Sequence, residues 1–181
     1  EYTTTALDRV ERAREVRERE RRFRLIADRI DQVIYLATPD FSEVAYVNSA
    51  YEEIWGRPVE ELLADPQAFL EGVDPRDREA VRADFEAMLA EIDAGEPADK
   101  YEFEYRVRRP DGDVRSVRAT GYPVADDGEI DRFVGIVEDV TDRRELERTY
   151  RSVFENVSDG LVVHDPETGE ITDVNDRFCE M

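Results

Sequence analysis

The chain carries few groups suited to making or breaking bonds. There is one histidine, His164, and one cysteine, Cys179. That is too few for a Cys-based zinc cluster, a disulfide framework or a Ser-His-Asp triad with spare parts. His164 lies in a strand-like pattern, a poor place for a metal-ligating or phospho-accepting histidine. Cys179 reads as an ordinary thiol. No Gly-rich phosphate-binding loop occurs. Nothing in the chain looks catalytic, so no enzymatic activity is expected of it. The polar residues of most interest are Asp139, Thr141 and Asp142, with Val140 between the first two. They follow the apolar run Phe133–Val137 and precede a helical pattern. Asp139 can accept hydrogen bonds or pair with an arginine, and Thr141 can bond to nearby backbone. Such a junction is a static cap, a switch, or both.

The elements around that junction follow from periodicity. Residues 5–30 contain no Gly and no Pro, and Thr5 with Asp8 reads as a helix start. Leu7, Val10, Ala13, Val16, Phe23, Ile26 and Ile30 form a narrow apolar stripe between paired Glu and Arg. This is a long charged helix, either a solvated spacer or a short coiled coil. From Val33 the pattern changes to strands: Val33–Leu36, a turn at Pro39-Asp40, then Val44–Val47. Helical segments follow at Ser49–Trp55, Val59–Leu63 and Asp74–Ala94, with Pro58 and Pro75 in first turns. Tyr101, Phe103, Tyr105 and Val107 alternate with charged residues, a half-buried strand. Turns at Pro110-Asp111-Gly112 and Asp127-Gly128 separate it from Val114–Val124 and Phe133–Val137. The last run is apolar on both faces, as a central strand covered on both sides would be. Asp142 with Glu145 can then cap a helix whose Leu146, Tyr150, Val153 and Val157 make a coiled-coil seam.

Charge separates the chain into two kinds of material. Of 181 residues, 46 are acidic and 25 basic, a net charge of −21. Residues 1–31 hold nine Arg and eight acids, so that segment is +1 and the rest −22. Such a surface repels nucleic-acid phosphates and anionic lipid heads. Lys100 is the single lysine. An acid-rich, Lys-poor surface resembles proteins of salt-loving archaea, whose cytoplasm screens that repulsion. No apolar run approaches the roughly 20 residues of a membrane span. A cytoplasmic location is expected.

The chain also repeats itself. Residues 150–181 align without gaps on residues 23–54, with six identities in 32 pairs. Pro166 meets Pro39, Glu170 meets Glu43, and Val174-Asn175 meets Val47-Asn48. One whole module and the start of a second are therefore expected, within a longer tandem protein.

These residues resemble a known family. Tyr46-Val47-Asn48, a helix and Trp55-Gly56 are similar to the second strand and following helix of PAS domains. Val73-Asp74-Pro75-Arg76-Asp77-Arg78 resembles the HP-x-D-R stretch of the PAS fold 3 subgroup, with Asp74 where His is usual. Arg109-Pro110-Asp111-Gly112 with Val117 resembles its R-x-DG…W hairpin. Gly135-Ile136-Val137-Glu138-Asp139-Val140-Thr141 resembles its strand-ending Asp-Ile-Thr motif. The resemblance implies an α+β fold: a five-stranded antiparallel sheet, order 2-1-5-4-3, with helices over one face and long flanking helices. The implied division is a charged helix at 1–22, a PAS domain at 23–141, a linker helix at 142–157 and a truncated second PAS domain at 150–181.

The resemblance implies a sensory role, relaying a small-molecule or partner signal through flanking helices to a kinase, transducer or transcription regulator outside this chain. A ligand-free dimerisation spacer is the alternative, as is the non-catalytic sensor part of a histidine kinase. Homodimerisation through the flanking helices is expected, and direct nucleic-acid binding is not. Tyr35, Asn48, Trp55, Phe69, Phe85, Tyr105 and Ile136 are the pocket candidates, though plain core is the favoured reading of each. For Asn48 the favoured alternative is a cap on the helix beginning near Ser49. The ligand is unknown. Haem is disfavoured because the first module has no histidine, and covalently reacting flavin because it has no suitable cysteine. A colourless protein is expected.

Overall fold

The computed structural model describes residues 2–126 and 129–179, and in the first helix the side chains from residue 11 onward except residue 13. The side chains of Thr5, Leu7, Asp8, Val10 and Ala13 and the Asp127-Gly128 turn lie outside the described residues. The chain divides into two compact units, one ending at Asp139 and the other beginning at Val140.

In the first unit, helix α1 (Tyr2–Ala27) leads into strands β1 (Val33–Ala37) and β2 (Val44–Val47). Four short or medium helices follow: α2 (Ala50–Trp55), α3 (Val59–Ala64), α4 (Ala68–Gly72) and α5 (Arg78–Asp93). Strands β3 (Tyr101–Arg108), β4 (Val114–Asp126) and β5 (Glu129–Asp139) complete the unit. The strands form one antiparallel sheet in the order β2-β1-β5-β4-β3, as the resemblance implies. β5 is central because the β3-β4-β5 meander adds its last strand to β1. Residues from β1, β3, β4 and β5 that face the helices share one buried cluster with Tyr51, Ile54, Trp55, Leu62, Leu70 and Val81. Along β5, Phe133, Gly135 and Val137 are buried, while Val134 and Ile136 between them are half-buried. The strand therefore closes the core on one face only, because strand side chains alternate faces.

Two local expectations are corrected. Helix α5 begins at Arg78, not Asp74. The Asp74 carboxylate is fully buried and accepts from the Arg76 backbone N–H at 3.0 Å and the Arg76 Nε at 2.8 Å. Arg108 Nη2 donates to its other oxygen at 2.8 Å. With those bonds made, residues 74–77 form a turn, and the Asp74 carbonyl accepts from Asp77 and Arg78. Helix α4 has no counterpart among the expected elements. The apolar stripe of α1 is largely exposed at Val16, Phe23 and Ile26; Ala27, at the helix end, is buried instead.

Hydrogen bonding to Arg76 holds the Asp74 carboxyl well below the usual carboxylate range, and its contact with Arg108 acts the same way. A lowered folded pKa gives stability that is complete above the unfolded value of about 3.9 and lost as pH falls toward the folded value. Both arginines are about half exposed, which weakens the pairs. Asp74→Asn is expected to cost about 2 kcal/mol at pH 7. In urea unfolding, the gap between wild type and variant should close as pH drops below about 4.

Asn48 does not cap α2. Its carboxamide ties α1 to the sheet. The Ile34 N–H donates to Asn48 Oδ1 at 2.9 Å, and Asn48 Nδ2 donates to the carbonyls of Ala27 at 2.8 Å and Gln32 at 2.9 Å. Ser49, at the α2 N-terminus, makes no side-chain cap bond.

The second unit has helix α6 (Thr141–Asn156), hairpin strands β6 (Val162–His164) and β7 (Ile171–Val174), and α7 (Asp176–Cys179). Asn175 repeats the Asn48 clasp at the same offset. The Leu161 N–H donates to its Oδ1 at 2.8 Å, and its Nδ2 donates to the carbonyls of Phe154 and Asp159 at 3.0 and 3.1 Å. Leu146, Tyr150 and Val153 on α6 are exposed, and Phe154 is buried. No helix among the described residues is long and apolar enough to cross a membrane.

Candidate functional site

A cavity of about 70 Å³ lies in the first unit between the inner face of the sheet and helices α2–α5. Five of the seven sequence candidates line it: Tyr35, Trp55, Phe69, Phe85 and Tyr105. Asn48 and Ile136 do not. Asn48 is spent on the clasp, and Ile136 points to the opposite sheet face, one residue out of phase with Val137.

Glycines in the sheet make room for the rings. Gly135 on β5 pairs with Tyr35 on one side and with Gly121 of β4 on the other. A Cβ on Gly135 would stand 2.0 Å from Tyr35 Cζ, and one on Gly121 would stand 2.2 Å from Phe133 Cε1. Both aromatic rings therefore lie flat over backbone where no side chain competes. Phe41, the one described non-glycine residue at positive φ (53°), brings its ring to 5.0 Å from Phe85 and 4.9 Å from Phe133. That burial offsets the strain of a left-handed backbone at a bulky residue. Trp55 stacks on Tyr51 at 4.9 Å, as residues four apart on a helix can. Its Nε1 donates to the Phe69 carbonyl at 3.4 Å.

Sequence reasoning passed over Tyr51, Phe41 and Met88 as lining residues. A phenylalanine in the polar turn after Pro39-Asp40 was the available signal for Phe41. Tyr51 carried one as well, since it lies four residues before Trp55 on the same helix.

The cavity holds phenols in an apolar shell. Burial pushes the Tyr51 hydroxyl up to about 12. Burial raises Tyr35 and Tyr105 further, and the nearness of Tyr35 and Tyr51 adds to the shift at Tyr105. All three phenols are neutral at physiological pH. The cavity can therefore offer hydrogen bonds but no charge.

The junction residues follow directly after the cavity-lining part of the same strand. Val137 lines the cavity, and Asp139 ends β5 with its Oδ2 3.4 Å from Arg115 Nη1 on β4. Val140 stands at the N-cap of α6, Thr141 is its first residue, and Asp142 lies in its first turn. The helix starts two residues earlier than an Asp142 cap would require. His164 and Cys179 are exposed in the second unit.

A sequence model described as PAS fold matches residues 44–137, and one described as PAS domain matches residues 148–181. An uncharacterized protein of Sinorhizobium fredii is 32% identical over 155 residues, which is 85% of this chain and 18% of that protein. The chain thus spans less than a fifth of that curated relative's length. A solved domain described as part of a light and redox sensing histidine kinase from Haloarcula marismortui is 35% identical, covering 67% of this chain and 99% of the domain, with a TM-score of 0.50. A sensory box histidine kinase/response regulator from Burkholderia thailandensis is 28% identical over 73% of this chain and 94% of the solved one, with a TM-score of 0.50.

Proposed function

The chain belongs to the PAS-fold family, and we propose that residues 23–141 are a non-catalytic sensory module whose cavity controls the departure of helix α6 toward an output domain. The observation that carries this reading is the course of β5. One strand lines the cavity at Val137, ends at Asp139 beside Arg115, and continues after Val140 into α6. A change in the cavity has a continuous backbone route to the helix. The junction acts as an element with two arrangements whose balance the cavity biases. Similarity to domains of histidine kinases favours a kinase as the output.

The recurrence of the Asn48 clasp at Asn175 and the match of residues 148–181 to a PAS domain support a tandem of such modules. The exposed Phe23 and Ile26 on α1, and Leu146, Tyr150 and Val153 on α6, favour homodimerisation through the flanking helices. They also support the second reading, a dimerisation spacer. The −21 charge and single lysine, with the likeness to a Haloarcula domain, support a halophilic archaeal source and work in a salty cytoplasm.

The test is Asp139→Ala with Thr141→Ala in the full-length protein. Loss of a junction hydrogen bond costs about 1 kcal/mol, enough to shift a two-state balance several-fold without unfolding the domain. Basal kinase output should change several-fold. Output and stimulus response at wild-type levels would reduce the junction to a cap.

A further inference from the structure

We propose that Phe41 is a gate: its ring swings out with the turn between β1 and β2 and opens the cavity to solvent. The gate governs entry, whatever the cavity senses, and so goes beyond the sensory reading. Among the lining residues, Tyr35, Phe41, Pro66, Phe69, Phe85 and Phe103 are half-buried, so the wall between cavity and solvent runs through them. Tyr35 and Phe103 stand on strands, and Phe69 and Phe85 on helices, where ladder or helix bonds hold the backbone. Pro66 lies in a turn, but its ring fixes φ. Phe41 is the wall residue whose backbone can turn without breaking an element.

Phe41 is held shut against its own backbone. Its φ of 53° lies in the left-handed region, unfavourable for a bulky side chain. Ring contacts keep it there, with centroids 4.9 Å from Phe133, 5.0 Å from Phe85 and 6.1 Å from Tyr35. Phe85 in turn meets Phe69 edge-on at 5.6 Å. Swinging out loses ring contacts but relieves the backbone. The closed and open arrangements therefore lie closer in energy than they would at an unstrained residue.

The turn has a hinge that Phe41 does not share. The Thr38 N–H donates to the Glu43 carbonyl at 2.9 Å, and the Glu43 N–H donates to Thr38 Oγ1 at 3.1 Å. The Ser42 hydroxyl and N–H donate to Asp40 Oδ1 at 2.8 and 3.1 Å. Thr38 and Glu43 can stay paired while the residues between them turn. Opening breaks one bond of Phe41 itself, from its N–H to the Thr38 carbonyl at 3.0 Å. Water can replace that bond, because Asp40 and Ser42 on either side are exposed.

Trp55 reads the gate directly. It is the chain's single tryptophan, lines the cavity and is 2% exposed, so acrylamide quenching of its fluorescence reports entry. In the 181-residue chain, wild-type quenching should be weak but measurable. It should stay constant in urea below the onset of unfolding, since a turning loop exposes little surface. Phe41→Ala removes the ring and should raise quenching about tenfold, as expected where the open state is on the order of a few per cent populated. Val117→Ala truncates a buried residue outside the lining and should quench as the wild type does. Wild-type quenching that appears only as urea unfolds the unit would overturn the gate, and this series decides the matter even if Phe41→Ala does not fold. Quenching of folded Phe41→Ala no stronger than that of the wild type or of Val117→Ala would overturn it too. None of these results bears on the junction variants, whose output tests the sensory reading separately.

Discussion

Asn48→Ala should lower the stability of the first unit by about 3 kcal/mol, or about 10 °C in melting temperature. The side chain is 1% exposed, and its three hydrogen bonds serve the backbone of Ala27, Gln32 and Ile34. Truncation leaves one N–H and two carbonyls without that partner, and each unsatisfied buried group costs about 1–3 kcal/mol. Water entering the gap recovers part of the loss. A helix cap alone would cost about 1 kcal/mol, so thermal unfolding separates the two roles. The loss should also free the end of α1, since Ala27 is one of the groups held. Hydrogen exchange at the Ala27–Ile30 amides should then rise faster than in the rest of the unit.

Gly135→Ala is expected to cost about 2–3 kcal/mol, the upper range for overpacking a closed core. The added Cβ would stand 2.0 Å from Cζ and 2.3 Å from the hydroxyl oxygen of Tyr35. Such an overlap cannot be absorbed by small shifts. Backbone on the central strand is held by ladders on both sides, so the Tyr35 ring must move. The open direction is the cavity, which the ring would then fill. Denaturant unfolding gives the stability change, and the loss of cavity-lining methyl shifts under xenon pressure reports the filling.

Much of this fold was legible because its strands follow the simplest rule. Tyr101, Phe103, Tyr105 and Val107 alternate with charged residues, and they face the helices. Strand order came from family resemblance, because alternation says which face a residue takes and not which strand lies beside it. Asn48 was misread for a related reason. Its partners lie 14 to 21 residues away, whereas a capping argument looks only at the next turn. Its recurrence as Asn175, one of the few identities in the repeat, was the signal that both serve one structural purpose. The start of α5 was misplaced because Asp74 meets Arg108 across 34 residues, a contact no local propensity contains. Ile136 entered the pocket candidates because the Phe133–Val137 run is apolar on both faces, so composition could not say which residues face inward. The register with β1 decides it, pairing Tyr35 with Gly135.

The central claim is that the state of the cavity reaches the start of α6 through β5. Ala119, which lines the cavity and pairs with Val137, offers a way to change that state by design. Ala119→Val places two methyl groups in the cavity in place of an occupant. Amide hydrogen exchange of the 181-residue chain should then change by about threefold or more from Glu138 through Glu145, a coupling typical of packed networks. The amides of residues 11–20, near the far end of α1, should exchange as in the wild type. Unchanged exchange from Glu138 through Glu145, with the cavity methyl signals shifted, would contradict the claim.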